Sequence, residues 1–166
     1  ASLHENSRGA VETCILAADL IADNAPLIIM DCEFYFESRS YFNFVREMTG
    51  NASHDGILLT FNSSDPRYSF ARTDGNHTVL ETAEKRAISN HAIWGAYCFG
   101  TGKLYKDAAR RLLEKPLDDT MKEYYTSYLF NDLISQGKII KQADTDRFGS
   151  YGTPEELQQF LESQAS

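Results

Sequence analysis

A carboxylate directly after a short apolar run is the first place in this sequence where chemistry could be done. Leu27-Ile28-Ile29-Met30 is such a run, and Asp31 follows it. A run this short and this apolar predicts a buried parallel strand. In open α/β sheets, ligands sit beyond the carboxyl ends of the strands. Asp31 therefore stands where a carboxylate could hold Mg²⁺, a hard cation that takes oxygen ligands and substrate phosphates. A turn or helix-capping aspartate is the competing explanation. Glu33 follows closely and either assists Asp31 or faces solvent.

Two further segments carry groups suited to a phosphate compound. In Ser7-Arg8-Gly9-Ala10-Val11-Glu12-Thr13, a glycine at the start of a helical pattern lets a ligand approach the backbone closely. A plain loop-to-helix junction would look the same. Glu84-Lys85 follows a predicted strand. A lysine there can meet a phosphate and a glutamate can accept from hydroxyls, with a solvated ion pair as the alternative. Other chemistries find no support. The histidines lack ligand spacing, and there is no G-x-S-x-G, no Walker A pattern and no G-x-G-x-x-G. The aromatic cluster Phe34, Tyr35, Phe36, Tyr41, Phe42 and Phe44 reads as core and interface rather than a base-stacking platform.

These groups need a scaffold, and the periodicity predicts one. Residues 8–22 read as a helix, with Val11, Cys14, Ile15 and Ala18 on one face and Ser7 as N-cap. A second helix covers 39–49 through Tyr41, Phe44, Val45 and Met48. Strands are expected over 56–61 and 92–99. A hairpin is expected from 68–72 and 78–83 around Asp74-Gly75. Residues 102–115 and 120–136 read as helices, and Ile139-Ile140 as a short strand. In the last helix Thr153 is the N-cap, Pro154 takes the first helical position and Glu156 completes a capping box. Leu157, Phe160 and Leu161 are expected to face inward. The order is that of an α/β fold with a mixed sheet. It opens with a helix rather than with the usual strand and phosphate-binding turn.

Composition sets the outer bounds. The chain has 166 residues, 42% hydrophobic and 24% charged, which fits one globular domain over 1–166 and not a disordered chain. A net charge of −8 and a pI near 4.9 speak against a general nucleic-acid surface, which needs surplus Lys and Arg. No apolar run spans a bilayer, so no membrane partner is expected. Cys14, Cys32 and Cys98 form neither a disulfide framework nor a zinc site, and a reduced, cytoplasmic protein is the expectation.

Taken together and in order, several segments resemble the sugar-phosphate nucleotidyltransferases, the nucleoside-diphosphate-sugar pyrophosphorylase family. Ser7 to Thr13 resembles the family's nucleobase-contacting loop and the helix after it. Pro26-Leu27-Ile28-Ile29-Met30-Asp31 resembles the strand that ends in its metal-binding aspartate. Glu84-Lys85, with the stretch from Ser89 to Phe99, resembles its sugar-phosphate-binding region. Phe148-Gly149-Ser150-Tyr151-Gly152-Thr153-Pro154-Glu155-Glu156-Leu157 resembles its closing element.

The resemblance implies a three-layer, Rossmann-like core and a set of roles. Gly9 and Glu12 would lie at the nucleobase, and Asp31 would hold Mg²⁺ on the phosphates. Glu84 would contact acceptor hydroxyls, Lys85 would hold the acceptor phosphate, and Asn90 and Gly95 would shape the acceptor pocket. The partners would be an NTP and a phosphorylated small molecule. The product would be a nucleotide sugar for glycan or polysaccharide synthesis, and homo-oligomers are common in the family. Two departures stand out. Ser150 occupies the place of a second metal-binding aspartate, so a second ligand would come from Asp144 or Asp146 or be absent. The family's opening strand and Arg- and Lys-bearing glycine-rich loop have no counterpart in residues 1–6. The core is therefore expected to be N-terminally incomplete, its C-terminal two-thirds, short by roughly 70 residues. A noncatalytic binding or structural remnant, or transfer to a non-sugar acceptor, are the alternatives.

Overall fold

A mixed sheet frames the molecule in the computed structural model, which describes residues 7–50 and 53–164. The elements are α1 (Ala10–Ile15), β1 (Leu27–Met30), β2 (Phe34–Glu37), α2 (Arg39–Met48), β3 (Gly56–Asn62), β4 (Ser69–Thr73), β5 (Val79–Glu84) and β6 (His91–Phe99). They continue with α3 (Gly102–Leu113), α4 (Ser127–Ser135), β7 (Ile140–Asp144), β8 (Arg147–Ser150) and α5 (Pro154–Gln164). The sheet runs β5-β4-β6-β3-β7. Among the described residues, only β3 and β7 pair in parallel.

β6 is long enough to take two partners along one edge. β4 meets it near its start, at Phe70 opposite Ala92, and β1 near its end, from Leu27 opposite Phe99 to Met30 opposite Ala96. β3 occupies the other edge. β1 and β4 thus lie one after the other, and the last residue of β1 points toward the first residue of β4. In this break the β3–β6 register slips, from Leu58 opposite Tyr97 to Thr60 opposite Ile93. The slip is a β-bulge, the usual device for bending a strand beside a site.

Strand alternation divides the core between two faces. Leu58, Ile93, Tyr97 and Phe99 pack against α1, α3 and α4. Ile57, Leu59, Phe61, Trp94 and Cys98 pack against α2 and the aromatic residues of β2. The result is helix, sheet and helix in three layers. Caps fix the outer elements. Ser38 Oγ accepts from Tyr41 N–H at 3.1 Å at the head of α2, and Thr101 Oγ1 from Leu104 N–H at 3.1 Å at the head of α3. The capping box of α5 forms as its sequence requires, Thr153 N–H to Glu156 Oε2 and Glu156 N–H to Thr153 Oγ1, both at 3.2 Å.

Several expectations are corrected. β1 is neither parallel nor fully buried: it pairs antiparallel with β6, and Ile28 and Met30 are 44% and 48% exposed. A short apolar run does not encode its partner's direction. The first helix ends at Ile15, and a separate 3₁₀ turn covers Ala18–Leu20. Gly9, not Ser7, sits at the N-cap. Helix α4 begins at Ser127 rather than near 120. At the other end of α1, Tyr124 N–H donates to Arg8 C=O at 2.9 Å, and Val11 N–H donates to Tyr124 C=O at 3.0 Å. That long-range pairing sets the start of α1 and keeps Tyr124 out of α4. Leu157 and Leu161 are 44% and 55% exposed, so of the three residues expected to face inward only Phe160 packs, against Tyr35 and Tyr151. The two-stranded sheet β2–β8 was not expected at all.

Candidate active site

The break between β1 and β4 opens into a cavity of about 560 Å³. Asp31 lines it from the end of β1, and Glu84 and Ser69 from the β4–β5 pair, where they are direct cross-strand partners. Gly95 lies between them on the β6 bulge. Its φ of 46° is left-handed, and its carbonyl accepts from Asp31 N–H at 3.0 Å. A side chain at this position would strike Asp31 Oδ2 and come within 2.9 Å of the Phe34 ring. Glycine is thus required twice over, for the backbone angle and for the space the carboxylate occupies.

The Asp31 carboxyl is reachable by solvent, yet the wall around it is close. Desolvation, with the Glu33 charge in second place, pushes its pKa up to about 6. Glu84 is held at one oxygen: Ser69 Oγ donates to Oε2 at 2.7 Å and Ser127 Oγ at 2.6 Å. The floor is aromatic, with Trp94 between Phe34, 4.4 Å away, and Phe148, 4.8 Å away by ring centroid. Arg67 brings a cation to the rim. It lies 4.7 Å from the Tyr68 ring centroid, and its Nε is 3.2 Å from Asp65 Oδ2.

Other residues singled out in the sequence lie elsewhere. Lys85 does not line the cavity. It lies in an adjoining depression of about 220 Å³ that shares Glu84 and Tyr125 with it. Its own φ is 51°, and its Nζ donates to Tyr125 Oη at 2.9 Å, which holds its pKa above the usual lysine value. Gly9 packs on Tyr124, where a Cβ would come within 2.6 Å of the backbone nitrogen, and its neighbour Ala10 is the lining residue. Glu12 is taken up by Arg8, through Nε at 2.9 Å and the backbone N–H at 2.6 Å. Asn90 is exposed and its carbonyl accepts from Ser63 N–H at 3.2 Å. Asp144 Oδ1 accepts from Thr60 Oγ1 at 3.2 Å and Gln142 Nε2 at 2.7 Å, and Asp146 Oδ2 from Arg39 N–H at 2.8 Å. Neither aspartate lines the cavity.

Sequence reasoning missed four residues here: Ser69, Arg67, Ser127 and, as a lining group, Glu156. Glu156 Oε2 accepts from Ser150 Oγ at 2.8 Å, and both residues line the cavity. The sequence marked Glu156 only through a capping box and its place in the closing element, and neither gave it a lining role. Among the described residues, no three His, Cys, Asp or Glu side chains gather as a metal cluster. Mg²⁺ usually takes one or two carboxylates and keeps water or phosphate for the rest. Asp31, exposed and lining the cavity from the end of β1, could supply one such carboxylate.

A three-layer mixed sheet with an acid-lined cavity at the end of β1 is the nucleotidyltransferase fold, an enzyme fold. Solved structures of that class match the chain. A nucleoside-diphosphate-sugar pyrophosphorylase from Vibrio cholerae RC9 superposes with a TM-score of 0.77 and 25% identity, covering 98% of this chain and 68% of its own. A protein from Bacillus anthracis described as a glucose-1-phosphate thymidylyltransferase, solved in complex with a sucrose, gives 0.69 and 20% identity, covering 95% and 61%. The chain thus spans about two-thirds of the length of these neighbours. No protein-family model matches it, and neither does any curated protein.

Proposed function

We propose that this chain is the acceptor-binding and metal-binding part of a nucleotidyltransferase that joins an NTP to a sugar phosphate. A phosphate oxygen of the acceptor attacks the α-phosphorus of the NTP. The bond from that phosphorus to the β-phosphate bridging oxygen breaks, and pyrophosphate leaves with the electron pair. Such transfer rests on positioning and charge neutralisation rather than on a covalent nucleophile. The observation that carries the reading is a single cavity bringing Asp31 and Glu84 together across the Gly95 bulge, within a fold shared with sugar-nucleotide enzymes.

In this reading Asp31 holds Mg²⁺, which when bound offsets phosphate charge. Glu84 accepts hydroxyls of the acceptor, and the aromatic floor receives its ring. Gly95 keeps Asp31 and the acceptor pocket clear of side chains. Lys85 reaches the acceptor phosphate across Tyr125, from the adjoining depression. Gly9 and Glu12 shape the turn that brings Ala10 to the nucleotide end, and Asn90 supports the loop before β6. Product use in polysaccharide synthesis and a cytoplasmic site belong to the same proposal. Among the described residues no helix is long and apolar enough to cross a membrane.

One observation favours a second reading, a binding module without turnover: Lys85 is bonded to Tyr125 outside the main cavity. Pyrophosphate release by the intact protein decides between them. Asp31→Asn is expected to abolish Mg²⁺-dependent release, and Lys85→Ala to raise KM for the sugar phosphate with little change in that for the NTP. Release that is absent in the unaltered protein supports the second reading. Release unchanged by Asp31→Asn removes the metal assignment.

A further inference from the structure

Glu84 is gripped from two elements at one oxygen, and we propose that Ser69 and Ser127 are positioning residues that aim its other oxygen at a ligand hydroxyl. This rests on the reading of Glu84 as the group that accepts from the acceptor's hydroxyls.

Both serine hydroxyls donate to Oε2, at 2.7 Å from Ser69 and 2.6 Å from Ser127. Among the described residues Oε1 has no hydrogen-bond partner, although a carboxylate can accept at about four lone-pair sites. A hydroxyl has one proton. Each serine that donates to Glu84 has none to offer a ligand, so the pair orients the carboxylate rather than binding substrate. One such bond would leave the carboxylate free to swing about it. Two donors from different directions on the same oxygen remove that freedom.

The two donors are themselves fixed. Ser69 sits directly opposite Glu84 in the β4–β5 ladder. Ser127 opens α4 and is 1% exposed. One turn further along α4, Asn131 takes Thr82 N–H at Oδ1, 2.7 Å, and gives Nδ2–H to Thr82 C=O at 2.8 Å. Thr82 Oγ1 in turn donates to Ser127 C=O at 2.8 Å. The amide of Asn131 thus acts as a one-residue strand partner on the outer edge of β5, the strand that carries Glu84. The helix bearing Ser127 is held to that strand. A pre-aimed acceptor loses little freedom when a hydroxyl arrives, and this strengthens binding without any new contact.

The test is a mutant cycle on the intact protein, reading Kd by calorimetry with glucose 1-phosphate as probe and inorganic phosphate as the hydroxyl-poor control. Glu84→Gln is expected to weaken the sugar phosphate about tenfold or more. Ser69→Ala is expected to weaken it several-fold, Ser69→Ala with Ser127→Ala about as much as Glu84→Gln, and Ser69→Thr to restore it. Phosphate binding should not move. Added to Glu84→Gln, Ser69→Ala should have no further effect, because nothing remains to be aimed. If the double serine variant does not fold, the rim residue Ser69 alone decides the cycle. A Ser69→Ala loss that persists in the Glu84→Gln background, or no loss at all, overturns the positioning role while leaving Glu84 in place. A Glu84→Gln protein that binds as well as the unaltered one, or an unaltered protein that binds no glucose 1-phosphate, overturns the acceptor reading and this proposal with it.

Discussion

At the scale of single residues, the proposed reaction turns on a carboxylate that the fold makes reluctant to ionise. Desolvation raises the pKa of Asp31 to about 6, against 3.8 for the free group. Between those values the folded chain binds more protons than the unfolded one. The contribution of Asp31 to stability is thus present at low pH and lost as pH rises from about 4 through about 6. A metal bound at Asp31 would compete with that same proton. Affinity for Mg²⁺ should accordingly rise steeply between pH 5 and pH 7, which titration calorimetry at the two pH values would show. The melting temperature of Asp31→Asn should equal or exceed that of the unaltered protein at pH 7, with the gap closing by pH 4.5. Gly95 gives a second prediction. An alanine there meets a left-handed φ, at about 1–2 kcal/mol, and collides with Asp31. Gly95→Ala should lower both stability in urea and Mg²⁺ affinity, whereas a distant glycine such as Gly75, which has open space around it, should tolerate alanine.

At the scale of elements, the site depends on how β6 is shared. Its two partners on one edge leave a break, and the bulge at Gly95 turns the strand just there. β5 is the outer strand beyond β4, and an outer strand leaves main-chain groups without a ladder partner. Asn131 satisfies both groups of Thr82. Asn131→Ala removes two hydrogen bonds and leaves the N–H and C=O of buried Thr82 unpaired, for an expected loss of about 2–4 kcal/mol in denaturant unfolding. Because α4 carries Ser127, hydrogen exchange at Thr82 and along the start of α4 should accelerate together in that variant. Exchange confined to Thr82 would mean that α4 is held by its apolar face alone.

For the whole molecule, net charge and cavity lining pull in the same direction, against an anionic ligand. The chain carries a net charge of −8, and its cavity presents Asp31, Glu84 and Glu156. A nucleotide or sugar phosphate brought to such a wall needs a cation, and Arg67 at the rim and Lys85 next door provide part of that charge. Nucleotide binding should therefore depend strongly on Mg²⁺. A thermal-shift series with each common NTP and nucleotide sugar, with and without Mg²⁺, is expected to show stabilisation by one base in the presence of the metal only. A ligand at a hundred times its Kd would add about 2.7 kcal/mol. Equal shifts with and without Mg²⁺ would remove the metal from the nucleotide site.

Much of this protein is legible from its residues in order. Local rules determined α2, α3, the β4–β5 hairpin and the capped start of α5, since a helix face, a turn or a capping box is written within a few neighbouring side chains. The same holds for Asp31 and Glu84, because strand ends can be found by period and both carboxylates fall there. What lay beyond reach depends on residues far apart in sequence. Tyr124 meeting Arg8 held the segment before α4 out of its predicted helix, and β2 found β8 across more than a hundred residues. The antiparallel direction of β1, the displacement of Lys85 behind Tyr125, and the serines gathered on Glu84 are of the same kind. Periodicity records which face a residue presents. Which distant chain meets that face is settled by packing and by the need to satisfy buried main-chain groups, and only the tertiary structure decides it.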